Sequence, residues 1–276
     1  MRYWALLAIS LVLVAGVIPA RQDRQAPTGT ATTGPAQDAT GKPSLTPREI
    51  AEMRADILAA RKEFAAAAAA YEEILRYEKK NAVLLNKIGM AYQQLGDARR
   101  AERYYKKAVH ADKRFSSAIN NLGTLEYGKG NYRKAIKYYK KALRLAKDQP
   151  AFYSNLGYAY CGSKEYAQAI QAFSRALALD PAIFEHRGGL GPIVQQRSTP
   201  PDPGVLHFLV AKSYALTGDA EHTALYLKMA RDDGYKKFLS AKTDPAFAKV
   251  IKDARVQAVL RVRPPFATEE NNPTPD

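Results

Sequence analysis

Small and apolar residues return along this chain at a fixed interval of thirty-four residues. Ala67, Ala101, Ala135 and Ala169 keep that interval, an aromatic follows each by four places (Tyr71, Tyr105, Tyr139, Phe173), and Ile74, Ala108, Ala142 and Ala176 come three places after those. Steps of four and three put the three positions on one face of a helix. Earlier in each unit Ala55, Gly89, Gly123 and Gly157 keep the same interval, with Leu85, Ile119 and Tyr153 four places before the last three. That is a second helical face, so each unit reads as two helices. Gly or Ala on the first helix and Ala on the second let the backbones approach closely, while the aromatic fills the space toward the next pair. Gly96-Asp97, Gly130-Asn131 and Gly218-Asp219 fall between predicted helices, where a helix-ending Gly and an N-capping Asp or Asn belong. A lone hairpin leaves one apolar side uncovered and is stable only when stacked. The pattern therefore predicts an all-α, right-handed superhelical solenoid with a concave groove, in units 48–81, 82–115, 116–149 and 150–183, the last closed by Pro181.

Outside these units the pattern changes. Tyr3 to Ala20 carries no charge and follows Arg2, so residues 1–20 read as a secretory signal or a retained membrane anchor, and both readings stay open. A lipoprotein is excluded, because no cysteine follows the apolar run and Cys161 is far away. Residues 21–47, with Pro27, Pro35, Pro43 and Pro47 among Thr, Gly, Ala and Gln, read as a disordered linker. After Pro181 the period breaks: residues 184–203 hold Gly188-Gly189, Gly191-Pro192 and Pro200-Pro201-Asp202-Pro203, an irregular insertion. Residues 204–263 read as a divergent fifth hairpin and then an amphipathic capping helix opened by Asp244-Pro245, with Phe247, Val250, Ile251, Val256, Val259 and Leu260 as its apolar face. Residues 264–276, rich in Pro with an acidic bias, read as a disordered tail.

The repeated residues resemble the tetratricopeptide repeat family: thirty-four residues per unit, Gly in the first helix, Ala and then an aromatic in the second, and Pro at the end. The resemblance covers residues 48–181. The first unit departs from it with Ala55 where Gly is usual and Leu58 where an aromatic is usual, and the third has Glu126 at a normally aromatic position. The insertion and its ending are similar to those of exported bacterial repeat proteins. What the resemblance implies is a non-catalytic scaffold whose groove, lined by the first helices, holds an extended peptide of a partner.

Asn suits that task, since its amide is donor and acceptor at once. Asn121 and Asn155 occupy equivalent positions, with Lys87 at that place in the second unit beside Asn86. Asn120, Thr124, Ser154 and Tyr158 are expected on the same face. A subset of the family grips C-terminal carboxylates of chaperones, but Met90 stands where that subset needs Asn, and Ala151 where it needs Lys.

Composition adds one feature. The 276 residues are 46% hydrophobic and 25% charged, with a net charge of +15, an ordinary globular balance apart from its sign. From Asp97 to Lys147, fifteen basic residues face four acidic ones, which concentrates eleven of the net charges in two units. Arg99, Arg100, Arg103, Lys106 and Lys107 recur as Arg133, Lys134, Lys137, Lys140 and Lys141 on the second helices, whose outward positions form the convex back. The alternative function is therefore an electrostatic binder of anionic lipid or of an anionic polymer, against a competing reading of a merely solvated face. Nucleic acid matches the charge but needs a cytoplasmic orientation, and is disfavoured at a cell envelope. His110, His186, His207 and His222 show no metal-ligand spacing, no carboxylate pair falls on a pocket-forming element, and Cys161 lies where burial is expected. No cofactor, metal or catalytic residue is expected. The localisation expected is the cell envelope, either periplasmic or tethered to the inner membrane.

Overall fold

The structure, a computed structural model, describes residues 45–185 and 202–261. The predicted signal or anchor, most of the linker, insertion residues 186–201 and the tail lie outside the described residues. Within them the chain is helical and has no strand: α1 (Pro47–Ala60), α2 (Phe64–Tyr77), α3 (Ala82–Gln94), α4 (Ala98–Ala111), α5 (Ser116–Gly128), α6 (Tyr132–Leu145), α7 (Pro150–Gly162), α8 (Tyr166–Leu179), α9 (Pro203–Thr217), α10 (Ala220–Asp232) and α11 (Ala254–Arg261). Each helix packs on the next in sequence, and α3 also touches α5 and α5 touches α7. That is the expected solenoid of hairpins, with odd-numbered helices on one face and even-numbered helices on the other.

The period of the sequence is the period of the core. Ala67, Ala101, Ala135 and Ala169 are wholly buried, as are Tyr105, Tyr139 and Phe173. Gly123 shows why a small residue is needed across from them: a Cβ built there would lie 2.8 Å from Cε1 of Tyr139. Turns between paired helices use a left-handed residue five times among the described residues, with φ of 65° at Lys62, 82° at Gly96, 77° at Gly130, 64° at Lys164 and 90° at Gly218. Only glycine reaches this left-handed region without strain, so the lysines of the first and fourth turns are held there by the helices they join.

Several local expectations change. α1 starts inside the predicted linker, because Thr46 and Glu49 form a reciprocal capping box ahead of Pro47. Asp97 and Asp219 cap their helices, but Asn131 does not; its amide donates instead to Glu126 at 3.0 Å. Phe184 lies in a turn after α8, but its ring is not solvent-exposed: it is buried edge-on against Phe173 (5.5 Å) and Tyr214 (6.0 Å) and welds the fourth unit to α9. The C-terminal cap is shorter than expected. Two 3₁₀ segments, Phe238–Lys242 and Pro245–Phe247, precede the eight-residue α11. Asp244 and Asp253 each accept from a backbone N–H two residues on (3.0 and 2.9 Å), and these local bonds compete with one continuous helix. The apolar positions still do their work, with Phe247, Val250, Val256 and Leu260 buried.

Candidate binding surfaces

The first-helix face carries a row of polar contacts at one register. Lys87 Nζ on α3 reaches back to Glu52 on α1 at 2.9 Å, Asn121 Nδ2 on α5 donates to Asn86 Oδ1 on α3 at 3.0 Å, and Asn155 Nδ2 on α7 donates to Asn120 Oδ1 on α5 at 3.1 Å. Each pair is separated by one repeat plus one residue. Asn120 Nδ2 donates to Asn121 Oδ1 at 3.3 Å and joins the two asparagine pairs into one ladder.

The sequence reading left these amides open to a ligand, and the structure corrects that. Asn86, Asn120, Asn121 and Asn155 are buried, 4–7% exposed, because successive first helices touch and press amide against amide. Thr124 accepts from the Tyr139 hydroxyl at 3.2 Å and donates to the Asn120 carbonyl at 3.3 Å. Ser154 and Tyr158 are buried too, and burial pushes the Tyr158 hydroxyl well above its ordinary range. Lys87 is committed to Asp56 (2.8 Å) as well as Glu52; burial alone would lower its pKa, but the two carboxylates outweigh that and raise it.

The ladder's ends are less well satisfied. Asn86 Nδ2 donates only to the Met90 thioether at 3.5 Å, a weak acceptor, and Asn155 Oδ1 has no donor among the described residues. Beside the N-terminal half of the row, Met53, Val83 and Met90 stay exposed. The partner of Lys87 and the amide-to-amide pairs were missed by reading single positions; a search for polar residues thirty-five apart would have found all three contacts.

The second-helix face differs in charge and shape. All ten predicted basic residues, from Arg99 to Lys107 and from Arg133 to Lys141, are exposed. They do not form a flat stripe. A trough of about 1220 Å³ runs between α2 and α4, and one of about 720 Å³ lies between α4 and α6. The floor of the first holds Tyr104, stacked on Tyr92 at 5.7 Å, and both hydroxyls donate to Glu72 (2.7 and 2.9 Å). Arg103 and Lys107 lie over the Tyr104 ring, 5.5 and 5.1 Å from its centre. Lys106 (2.7 Å) and Lys129 (2.8 Å) hold Glu102 and depress its pKa to about 2.

Among the described residues no cluster of His, Cys, Asp and Glu could hold a metal ion, and no helix is long and apolar enough to cross a membrane. Cys161 is buried, and that burial pushes its thiol up to about 12.

The family model of the tetratricopeptide repeat matches residues 86–150 and again 120–182. No curated protein sequence matches the chain. Among solved structures, PilF of Pseudomonas aeruginosa aligns with 77% of this chain and 86% of its own, at 16% identity and a TM-score of 0.51, a likeness of fold. MamA from Desulfovibrio magneticus RS-1 aligns with 68% of this chain and 98% of its own at 20% identity and a TM-score of 0.47. YrrB, a TPR protein with an unusual peptide-binding site, aligns with 70% of this chain and 91% of its own at 18% identity and a TM-score of 0.44.

Proposed function

We propose, from the premise that residues 86–182 make this a tetratricopeptide repeat protein, that the chain is a non-catalytic scaffold holding an extended segment of a partner polypeptide along its first-helix face. The observation that carries this reading is the asparagine ladder with its two ill-satisfied ends. An extended backbone offers C=O and N–H groups in alternation, which match a weakly held amide donor at Asn86 and an unfilled acceptor at Asn155, both buried until the first helices part. Leaving a buried polar atom unpaired costs about 1–3 kcal/mol, so the row is under-satisfied at Asn155 and gains from a partner that parts the first helices there. Exposed Val83 and Met90 beside the row provide apolar contact for side chains of the bound segment.

The test is affinity capture of native partners with the full chain and with Asn121→Ala plus Asn155→Ala, circular dichroism confirming that the variant is folded. Loss of captured partners is expected. Retention of every partner by the folded variant refutes the groove reading. The same proposal places the protein at the cell envelope on the strength of the charge-free run Tyr3–Ala20. Intact mass and fractionation of the native protein check this, and a cytosolic, full-length product would overturn it.

A further inference from the structure

The geometry points to a second binding site, on a face that the groove reading does not use: the paired basic troughs around α4 and α6 take an acidic polypeptide segment that also carries apolar side chains. The cationic set is duplicated as a unit. Arg103, Tyr104, Lys106 and Lys107 on α4 recur thirty-four residues later as Lys137, Tyr138, Lys140 and Lys141 on α6. One unit earlier the same positions hold Ala69, Ala70, Glu72 and Glu73, and one unit later Gln171, Ala172, Ser174 and Arg175. A solubilising charge has no reason to stop so sharply at both ends. Two adjacent copies make a bounded surface.

Its charge is also unanswered from within. Among the described residues, Lys79, Lys80, Arg99, Arg103 and Lys107 around the first trough have no carboxylate in ion-pair reach, nor do Lys137, Lys140, Lys141 and Arg144 around the second. The acids present are already engaged, Glu72 by two tyrosine hydroxyls and Glu102 by two lysines. What remains is a positive potential that an anionic ligand neutralises.

Shape and lining choose among anions. The cations border recesses, whereas a flat bilayer would meet only the ridges. In the first trough the tyrosine rings are committed: Tyr104 stacks on Tyr92 and lies under Arg103 and Lys107, and Arg100 covers Tyr92, so no ring face is left there on which a base could stack, while Tyr138 borders the second trough. Leu75, Leu85, Tyr104 and Ala111 line the first trough beneath its cationic walls. A phosphate polymer has nothing to place against them. A polypeptide with acidic residues interspersed with apolar ones uses both.

The experiment is fluorescence anisotropy with the full chain and a labelled peptide of four Glu-Glu-Leu repeats at low ionic strength. Binding that weakens with added salt is expected. The quadruple reversal Arg103→Glu, Lys107→Glu, Lys137→Glu and Lys141→Glu is expected to weaken it about tenfold or more. A matched reversal at exposed Lys228, Lys236, Lys237 and Lys252 changes the net charge equally and is expected to leave most of the affinity in place. No binding, or equal loss in both quadruple variants, overturns the site. Stronger binding of inorganic polyphosphate, of oligothymidylate or of phosphatidylglycerol vesicles than of the peptide overturns the choice of ligand. The variants share no residue with the asparagine pair that tests the groove, so either reading can fail alone.

Discussion

Two glycines in one helix should respond to the same substitution with opposite signs. Gly123 and Gly128 both belong to α5, five residues apart. Replacing Gly by Ala in a helix gains about 1 kcal/mol through propensity, and less at Gly128, which is the last helical residue. What differs is the space. A Cβ at Gly123 would sit 2.8 and 2.9 Å from two ring atoms of Tyr139 and 3.1 Å from Cβ of Tyr138, whereas a Cβ at Gly128 meets nothing within 4 Å. Ordinary contact begins near 3.4 Å, so the Tyr139 ring must retreat by at least 0.6 Å. It has nowhere to go, being fully buried with its hydroxyl bonded to Thr124, the neighbour of the glycine. Overpacking of this kind costs about 1–3 kcal/mol, and for a ring with no room to retreat the middle of that range outweighs the helical gain. Gly123→Ala should therefore lower stability by a net of about 1 kcal/mol, and at most about 2, while Gly128→Ala raises it by a few tenths. For a domain of this size, about 1 kcal/mol is a shift of about 2–4 °C in Tm. The assay is urea and thermal unfolding of the full chain followed by far-ultraviolet circular dichroism. If Gly123→Ala proves as stable as the parent, close contact between paired helices is not what holds that position small.

Other expectations follow from the same structure. Lys164→Gly, at φ 64°, should relieve left-handed strain and raise stability by about 0.5–1 kcal/mol; a drop in Tm would refute the strain argument. Asn121→Ala strips the Asn86 side-chain oxygen Oδ1 of its donor inside the protein and should cost about 1–3 kcal/mol. A denaturation midpoint equal to the parent's would show that the ladder contributes nothing to stability. Glu102 has its pKa lowered from 4.5 to about 2 by Lys106 and Lys129. Its contribution is thus complete above pH 4.5 and is lost as pH falls toward 2, so Glu102→Gln should flatten the acid limb of the stability curve between those values. An unchanged acid limb would be evidence against that bridge. Cys161, with its thiol raised to about 12, should react with a disulfide reagent at pH 8 only after denaturant is added; stoichiometric labelling of the native protein within minutes would contradict its burial.

The architecture was legible in the sequence because a solenoid writes its core at a fixed period. Ala101, Tyr105 and Ala108 recur one unit later as Ala135, Tyr139 and Ala142, and all six are wholly buried. The asparagines were legible as a row but not as a ladder, since position alone does not say how closely successive first helices approach. Phe184 was assigned to the insertion because the repeat had already ended, and only packing against Phe173 and Tyr214 reveals its place. At the C-terminus the apolar residues were found and their backbone was not: Asp244 and Asp253 interrupt what hydrophobic spacing alone presents as one helix. The basic residues were visible as charge, while their sorting into two recesses on either side of α4 needed the structure.

The buried side chains are unevenly joined along the stack. Most of those from Ile119 through Leu260 form one connected cluster, whereas Ala55, Ala67, Tyr71, Ile74 and their neighbours in the first hairpins form a separate, smaller one, and Ala101, Tyr105, Leu122 and Leu125 make a small third. Cohesion therefore has a direction. Amide protons of α1 and α2 should exchange with solvent first and those of α7 to α10 last, with the molecule peeling from its N-terminal end while the rest still stands.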